Sequence, residues 1–239
     1  DAQVVSAIYK KVYFKINQYL KVKKPKISVI IPTYNQEKYL GRCLRSLMDQ
    51  SMNRKDYEII VVNDGSVDKT KFAANLFKEE ICLINNKKNM GLPYSINKGI
   101  LSAKGRFVVR VDSDDYVNKE FLNIPYNFLS SNLDLDAVSC DYFLVDDSEK
   151  VIKRENSNKK PIGCGIMFRL EHLLDLGLYD NKFLVHEDKD LRYRFLKKYK
   201  IFRIPLPLYR YRKHGKNITN NKLKMKKHLR QFKKKHKIK

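Results

Sequence analysis

The stretch Phe107–Asp115, FVVRVDSDD, decides the fold of this 239-residue chain more than any other segment. It opens with an apolar run that is typical of a buried strand, and Asp112, Asp114 and Asp115 crowd its end. Crowded carboxylates raise each other's pKa and are stabilised by a cation, for which oxygen-binding Mg2+ or Mn2+ is the natural candidate. Because open α/β sheets bind ligands at the carboxyl ends of their strands, the stretch predicts a metal and phosphate site there. Taken alone, it is equally consistent with a polar surface turn.

Short apolar runs alternate with segments of helical periodicity along the first half of the chain. Three further runs, Ile27–Ile31, Tyr57–Val62 and Ile81–Ile84, have the length and composition of strands. Segments with apolar residues at helical spacing separate the runs, and this βαβαβαβ order predicts an α/β fold with a mostly parallel, Rossmann-like sheet. After residue 130 the pattern becomes irregular and predicts a smaller, mixed half, with strands at Val138–Val145 and Val151–Ile152 and a helix at Glu187–Tyr199.

Polar residues follow three of the predicted strands. Tyr34 and Asn35 follow the first strand, Asp64 follows the second, and the Asp cluster follows the fourth. Because the carboxyl ends of parallel strands share one edge of a sheet, we expect these groups to line one crevice. A ring that stacks on a base, an acid that binds the base or ribose, and a metal on a diphosphate would together form a nucleotide site. Taken separately, Tyr34 suits packing and Asp64 suits an Asp-Gly turn.

The formal net charge of +24 is concentrated at the two ends of the chain. Residues 1–26 carry +6, residues 221–239 carry +10 without any acid, and the middle keeps +8. This distribution predicts a basic amphipathic N-terminal helix at 1–25, a folded domain at 26–220 and a basic C-terminal tail at 221–239. Apolar residues recur at helical spacing in the N-terminal segment, which suits either a helix docked on the domain or one lying in a membrane interface.

The basic tail has sparse apolar residues and suits either a solvated, frayed segment or a contact with an anionic membrane surface. We expect no specific nucleic-acid partner, since aromatic residues that would stack on bases are not interleaved with the cations. No run approaches the roughly 18–20 apolar residues that span a bilayer, and the N-terminus lacks a signal-peptide pattern. Four widely spaced cysteines are typical of buried thiols in a reducing compartment. These features predict a cytoplasmic protein, either free or peripheral at the inner face of the plasma membrane.

Five motifs, taken in order, resemble those of family 2 glycosyltransferases. The resemblance covers about residues 26–215, and its motifs are Ile30–Asn35, Val61–Ser66, Asn89–Gly91, Val111–Asp115 and His186–Asp188. It implies a GT-A fold, with a nucleotide-binding α/β half and a more variable acceptor-binding half. It also implies inverting transfer of a sugar from a nucleoside diphosphate sugar, by default a UDP-sugar, with help from Mn2+ or Mg2+.

The resemblance also implies roles for single residues. Asp188 falls on the catalytic base, and His214 resembles a late histidine that reaches the metal or diphosphate in some members. Many members have Arg where this chain has Ile96, so one cation near the diphosphate is missing, and Lys98 or a late arginine would have to replace it. The implied nucleotide-binding residues are Pro32, Tyr34, Asn35, Asp64, Asn89, Gly91, Asn97, Asp112, Ser113 and Asp114. The implied metal ligands are Asp112, Asp114, Asp115 and His214.

The chemistry of glycosyl transfer explains why a carboxylate is needed at Asp188. An acceptor hydroxyl is a poor nucleophile until a positioned base takes its proton as the new bond forms. Asp188 and Glu187 equally suit the first turn of a helix, where the dipole favours acids. His186 either lines the acceptor site or packs in the interior.

Together these features predict a glycosyltransferase that moves a sugar to a hydroxyl of a glycan or lipid-linked glycan, as in the assembly of surface polysaccharides or glycolipids. The alternative is a non-catalytic module of the same fold that binds a nucleotide sugar or a glycan. The intact Asp cluster and Asp188 argue against that alternative.

Overall fold

A computed structural model describes residues 24–215, 217 and 220–238. Nearly all of the predicted N-terminal helix at 1–25 therefore lies outside the described residues. The strands are β1 (Ile27–Thr33), β2 (Tyr57–Asn63), β3 (Cys82–Asn85), β4 (Phe107–Arg110), β5 (Tyr116–Val117), β6 (Ala137–Val145), β7 (Val151–Glu155), β8 (Ile166–Arg169) and β9 (Ile201–Arg212). The helices are α1 (Leu40–Met48), α2 (Thr70–Asn75), α3 (Leu92–Leu101), α4 (Asn123–Ser131), α5 (Leu170–Asp175), α6 (Glu187–Leu196) and α7 (Lys222–His236).

All of these strands join one sheet, in the order β3-β2-β1-β4-β8-β6-β9-β5, with β7 paired to β6. The first four are parallel, which confirms the predicted Rossmann-like half. From β8 onward the sheet is mixed, because β8 runs antiparallel to both β4 and β6 while β6 and β9 are parallel. The parallel half therefore continues directly into the second half without a break in the sheet.

Helices cover both faces of the parallel half. Alternate residues of β1 enter two different cores, with Ile31 in the cluster that contains Leu44 of α1 and Ile30 in the cluster that contains Ile96 of α3. Both faces of such a sheet are buried, which explains why β1 reads as a continuous apolar run. A Cβ at Gly99 in α3 would lie 2.5 Å from Ile30 Cγ2, so a glycine permits the close approach of this helix to the sheet.

The long strand β9 is an element that the sequence pattern does not predict. It contains Pro205 and Pro207, which cannot donate a ladder hydrogen bond and usually argue against a strand. The register between β6 and β9 shifts at Asp141, where Pro207 lies opposite, so an irregularity in the pairing accommodates the prolines.

The C-terminal tail differs from the expected frayed segment, because residues 222–236 form a helix that packs on α6. Asp190 of α6 is fully buried, and its Oδ1 atom lies 2.6 Å from Lys235 Nζ and 2.8 Å from His236 Nε2. The ring of Phe232 meets that of Tyr193 edge-on, with centroids 5.8 Å apart. The sequence does not show that Asp190 is buried beside these cations, so a count of charges alone predicts that they are solvated.

Two further expectations concern the cysteines and the membrane. Cys43, Cys140 and Cys164 are buried as expected, whereas Cys82 is exposed because β3 forms an edge of the sheet. Within the described part of the chain, every helix is too short or too polar to cross a bilayer.

Candidate active site

The three loops that follow β1, β2 and β4 lie side by side and are called here the strand-end edge (residues 33–36, 63–66 and 111–115). Thr33 is paired with Asn63, and the backbone N–H of Asp64 donates to the Thr33 carbonyl at 2.8 Å. On the other side of β1, the N–H of Val111 donates to the Ile30 carbonyl at 3.0 Å. The structure therefore brings together the groups that were expected to share one crevice.

Asp64 is buried at this edge and organises a neighbouring loop. Its Oδ1 atom accepts hydrogen bonds from the Asn86 side chain at 2.7 Å and from the Met90 N–H at 2.9 Å. Its Oδ2 atom accepts from the Gly91 N–H at 2.8 Å. Gly91 has a φ of +96°, a conformation that favours glycine, and it precedes α3 directly. The structure thus gives Asp64 a role in holding loop 86–91, and its contact with a base stays a prediction.

Few of the other predicted nucleotide-binding residues present a free side chain. Tyr34 is 43% exposed, so its ring is available for stacking, whereas Pro32 and Ser113 are buried. The Asn97 side chain exchanges hydrogen bonds with the backbone of Tyr179, at 2.8 and 3.0 Å. Three other polar groups are engaged nearby: Asn35 Oδ1 accepts from the Val67 N–H, Asn89 Oδ1 accepts from the Gly91 N–H, and Lys98 donates to Asn86.

Asp115 is engaged on both carboxylate oxygens. The Tyr209 hydroxyl donates to Oδ2 at 2.7 Å, and the Arg212 N–H donates to Oδ1 at 2.7 Å. Burial, followed by the charges of Asp114 and Asp112, raises the pKa of the Asp115 carboxyl well above its ordinary value. Asp115 therefore braces β9 against the acidic loop and is less suited to a metal than its neighbours.

Asp112, Asp115 and Cys164 offer ligand atoms within 4.8 Å of one another, a set that could hold a metal. Burial raises the pKa of the Cys164 thiol well above its ordinary value, which disfavours the thiolate that metals bind. Mg2+ and Mn2+ also prefer oxygen ligands to sulfur. The set is therefore a poor match to the ions that the acidic loop predicts.

By ligand type, Asp114, His214 and Asp112 suit the predicted ion better, although their ligand atoms do not all lie as close together as those of Asp112, Asp115 and Cys164. His214 Nε2 lies 2.8 Å from Asp114 Oδ2, and Tyr39 packs on the imidazole with ring centroids 4.8 Å apart. The Asp112 side chain remains 24% exposed in the same loop. Carboxylates with an imidazole suit Mn2+, and the two carboxylates alone suit Mg2+.

A buried arginine, Arg110, connects the acidic loop to α6. Its Nε and Nη2 atoms donate to the two oxygens of Asp112 at 2.6 and 3.1 Å, and its Nη1 atom donates to Glu187 at 2.9 Å. Burial raises the pKa of Glu187 to about 7 although Arg110 lowers it, so the guanidinium offsets part of the cost of burying this acid. The sequence offers no sign of this pairing, because Arg110 and Glu187 are 77 residues apart.

Asp188 is the second residue of α6 and differs from the acids around it in its hydrogen bonding. Its partly exposed carboxylate makes no hydrogen bond or ion pair with any residue that the structure describes. A Cβ at Gly163 would lie 2.6 Å from Asp188 Cβ and 3.2 Å from Arg110 Nη1, so only glycine fits against the acid. His186 Nε2 lies 3.1 Å from the Met225 carbonyl of α7, which favours packing over acceptor contact for His186.

A parallel α/β half that continues into a mixed half, with an acidic loop after β4 and an acid on α6 that has no described partner, defines a glycosyltransferase of the GT-A class. The sequence model of glycosyl transferase family 2 matches residues 28–199, and the chain belongs to this family. Both the predicted fold and the predicted family are therefore confirmed.

Relatives match different shares of the chain. An uncharacterized glycosyltransferase of Rickettsia typhi is 30% identical over 217 residues, which cover 83% of this chain and 67% of that protein. A poly(ribitol-phosphate) beta-glucosyltransferase of Bacillus spizizenii is 42% identical over 111 residues, or 45% of this chain. The matched segment spans only 18% of the Bacillus enzyme.

Solved structures share the architecture. The structure of TarS residues 1–349 from Staphylococcus aureus, in complex with UDP-GlcNAc, superposes on this chain with a TM-score of 0.72 at 26% identity. The match covers 82% of this chain and 61% of the TarS chain. A mannosyltransferase from Pyrobaculum calidifontis, in complex with GDP-Man and Mn2+, has a TM-score of 0.70 at 19% identity and covers 94% of this chain and 70% of its own. The second likeness shows the fold alone.

Proposed function

We propose that the protein transfers a sugar, with inversion, from a UDP-sugar to a hydroxyl of a glycan or lipid-linked glycan, with help from Mn2+ or Mg2+. The observation that carries the proposal is Asp188, which has no partner among the described residues, packs against Gly163 and follows Glu187, the acid that Arg110 binds. The UDP-GlcNAc complex of TarS supports a UDP-sugar as donor. The name of the Bacillus relative, a poly(ribitol-phosphate) glucosyltransferase, supports a polymer that carries hydroxyl groups as acceptor.

The donor would lie along the strand-end edge. The exposed ring of Tyr34 offers a stacking surface for the base, and Asp64, Asn89 and Gly91 lie in the loops after β2 and before α3. Asp112, Asp114 and His214 would hold the ion, which when bound offsets the charge that develops on the diphosphate leaving group. Arg110 fixes the orientation of Asp112 through two hydrogen bonds.

The acceptor would approach from the α6 side. Its hydroxyl oxygen forms a bond to the anomeric carbon while the bond from that carbon to the diphosphate oxygen breaks, and the hydroxyl proton moves to the Asp188 carboxylate. Attack on the face opposite the leaving group inverts the anomeric centre. The reaction needs a base without internal partners, and among the acids near Arg110 that requirement selects Asp188.

A thermal-shift series tests donor and metal together. UDP-, GDP-, CDP- and dTDP-sugars are compared with and without Mn2+, and a ligand at 100 times its Kd should stabilise the fold by about 2.7 kcal/mol. We expect the UDP-sugar with Mn2+ to give the largest rise in Tm and Asp114→Ala to lose the Mn2+-dependent part. Asp134→Ala, which removes an exposed acid without a described partner, is the matched control. Full binding and turnover in excess EDTA would exclude a metal requirement.

The basic face of α7 supports attachment to an anionic membrane surface. Helix α7 contains no acid, and the cations that it exposes include Lys222, Lys226, Lys227, Arg230, Lys233 and Lys234. Lys235 and His236 point to Asp190 instead, so the helix docks by one face and leaves the other to solvent. Each cation close to an anionic leaflet contributes about 1 kcal/mol. Such a face would hold the enzyme near a lipid-linked acceptor.

A further inference from the structure

Helix α6 carries two arginines in very different surroundings. Arg194 is fully engaged, since it donates to Asp190 at 2.8 Å and to the carbonyls of Leu176 and Leu178 at 2.7 and 2.6 Å. Arg192, two residues earlier, is partly buried yet makes no hydrogen bond or ion pair with any described residue. A guanidinium that is withdrawn from water without a partner is costly, so Arg192 needs an explanation.

Arg192 lines a small cavity that also contains Asp188. The cavity measures about 40 Å³, and Gly163 and Lys189 contribute to its wall. Asp188 and Arg192 are four residues apart on one side of α6, but they form no ion pair. Lys189 likewise has no partner among the described residues. A partly buried arginine without a hydrogen-bond or ion-pair partner among the described residues and an exposed lysine therefore flank the proposed base.

Apart from Asp188, the residues that line the cavity carry no negative charge that could pair with Arg192. Ile162, Ile166, Phe168 and Leu191 supply apolar surface. Burial lowers the pKa of Arg192, and the charge of Asp188 opposes this shift only in part. A bound anion would supply the missing partner, because an oxyanion accepts two parallel hydrogen bonds from one guanidinium.

We infer that the acceptor carries an oxyanion, a phosphate or a carboxylate, which Arg192 and Lys189 bind while Asp188 faces the reacting hydroxyl. The inference rests on the proposed function, because it requires α6 to face the acceptor. The donor diphosphate is the other anion of the reaction, and its proposed partners lie in the acidic loop rather than on this side of α6. The site would therefore select charged acceptors over neutral ones.

Calorimetry with the full chain tests the inference, with UDP and Mn2+ saturating so that the donor site is filled. The probes are inorganic phosphate, glucose 6-phosphate and glucuronate, with glucose as the neutral reference. We expect the charged sugars to bind about 10- to 100-fold more tightly than glucose, the range for hydrogen bonds to charged groups. A preference for glucose 6-phosphate would identify phosphate as the group, and a preference for glucuronate would identify carboxylate.

Variants assign the effect to a residue. Arg192→Gln should remove the preference for charged probes, and Arg192→Lys, which keeps the charge but not the planar fork, should retain part of it. Lys197→Gln is the matched control, because it removes a cation just after the same helix without lining the cavity. The Tm of each variant shows whether it is folded.

The outcomes separate this inference from the proposed function. Failure of the wild-type chain to bind UDP contradicts the proposed function and the inference with it. Normal UDP binding with equal affinity for glucose and for both charged sugars overturns the inference alone. A fall in UDP affinity in Arg192→Gln assigns the residue to the donor and also overturns the acceptor site.

Discussion

The strand-end edge and α6 differ in how far their acids are engaged inside the protein. Asp64 and Asp115 each accept hydrogen bonds on both carboxylate oxygens, and they fix loop 86–91 and the end of β9. Asp188 on α6 has no such partner among the described residues. Asp64 and Asp115 at the strand-end edge are therefore structural, whereas Asp112 and Asp114 stay the proposed metal ligands and the proposed base lies in the second half of the chain.

Arg110 is the physical link between these two regions. It binds Asp112 in the acidic loop and Glu187 at the start of α6, and all three side chains are mostly buried. Removal of one partner from such a network leaves an uncompensated charge, which is costly in a buried position. The spacing between the proposed metal ligands and the proposed base is therefore held by a network and not by a flexible loop.

Substitution of Asp188 should lower activity more than any other change, because Asp188 is the proposed base. Asp188→Asn keeps the shape but cannot accept the proton, so kcat should fall by roughly two to four orders of magnitude. Donor affinity, measured by titration with UDP, should change little. Glu171→Gln in the first turn of α5 is the matched control for an acid that only favours a helix start. Normal turnover in Asp188→Asn would reduce Asp188 to that structural role.

A methyl group at Gly163 should have an intermediate effect on activity, because it would displace Asp188. The new Cβ would lie 2.6 Å from Asp188 Cβ, so either the carboxylate or the loop must move. A displacement of about 1 Å at a catalytic group can cost about 100-fold, and Gly163→Ala should lower kcat by up to that factor. Gly41→Ala is the control, because its Cβ would meet only the flexible Arg45 guanidinium, at 3.3 Å. Equal kcat for both variants would show that Asp188 needs no fixed position.

The parallel half could be predicted from sequence because its signals are local. Each strand is a short apolar run, and the polar groups at its end follow within a few residues, as at Thr33 and Asn63. The partners of Asp115 could not be predicted, since Tyr209 and Arg212 lie 94 and 97 residues away in a strand that contains prolines. The lack of a partner for Asp188 among the described residues could not be predicted from sequence either, because it depends on where every neighbouring cation pairs.

The roles of the cations in helix α7 could not be predicted from sequence either. Its cations read as one charge run, yet the structure divides them between docking on Asp190 and exposure to solvent. Removal of the whole helix would also remove the Met225 carbonyl that lies against His186 and two partners of buried Asp190. Truncation at residue 220 would therefore disturb α6 and is a poor test of membrane attachment.

A single exposed lysine gives the smallest and most selective test. Lys227→Gln should weaken binding to vesicles of anionic lipid about 5-fold at low salt, because one cation near the surface contributes about 1 kcal/mol. The difference should shrink at high salt, where charges are screened over a shorter distance. Lys71→Gln removes an exposed cation from α2 and is the control, and turnover with a soluble acceptor should be unchanged in both variants. Equal vesicle binding by the two variants would exclude the exposed face of α7 as the attachment surface.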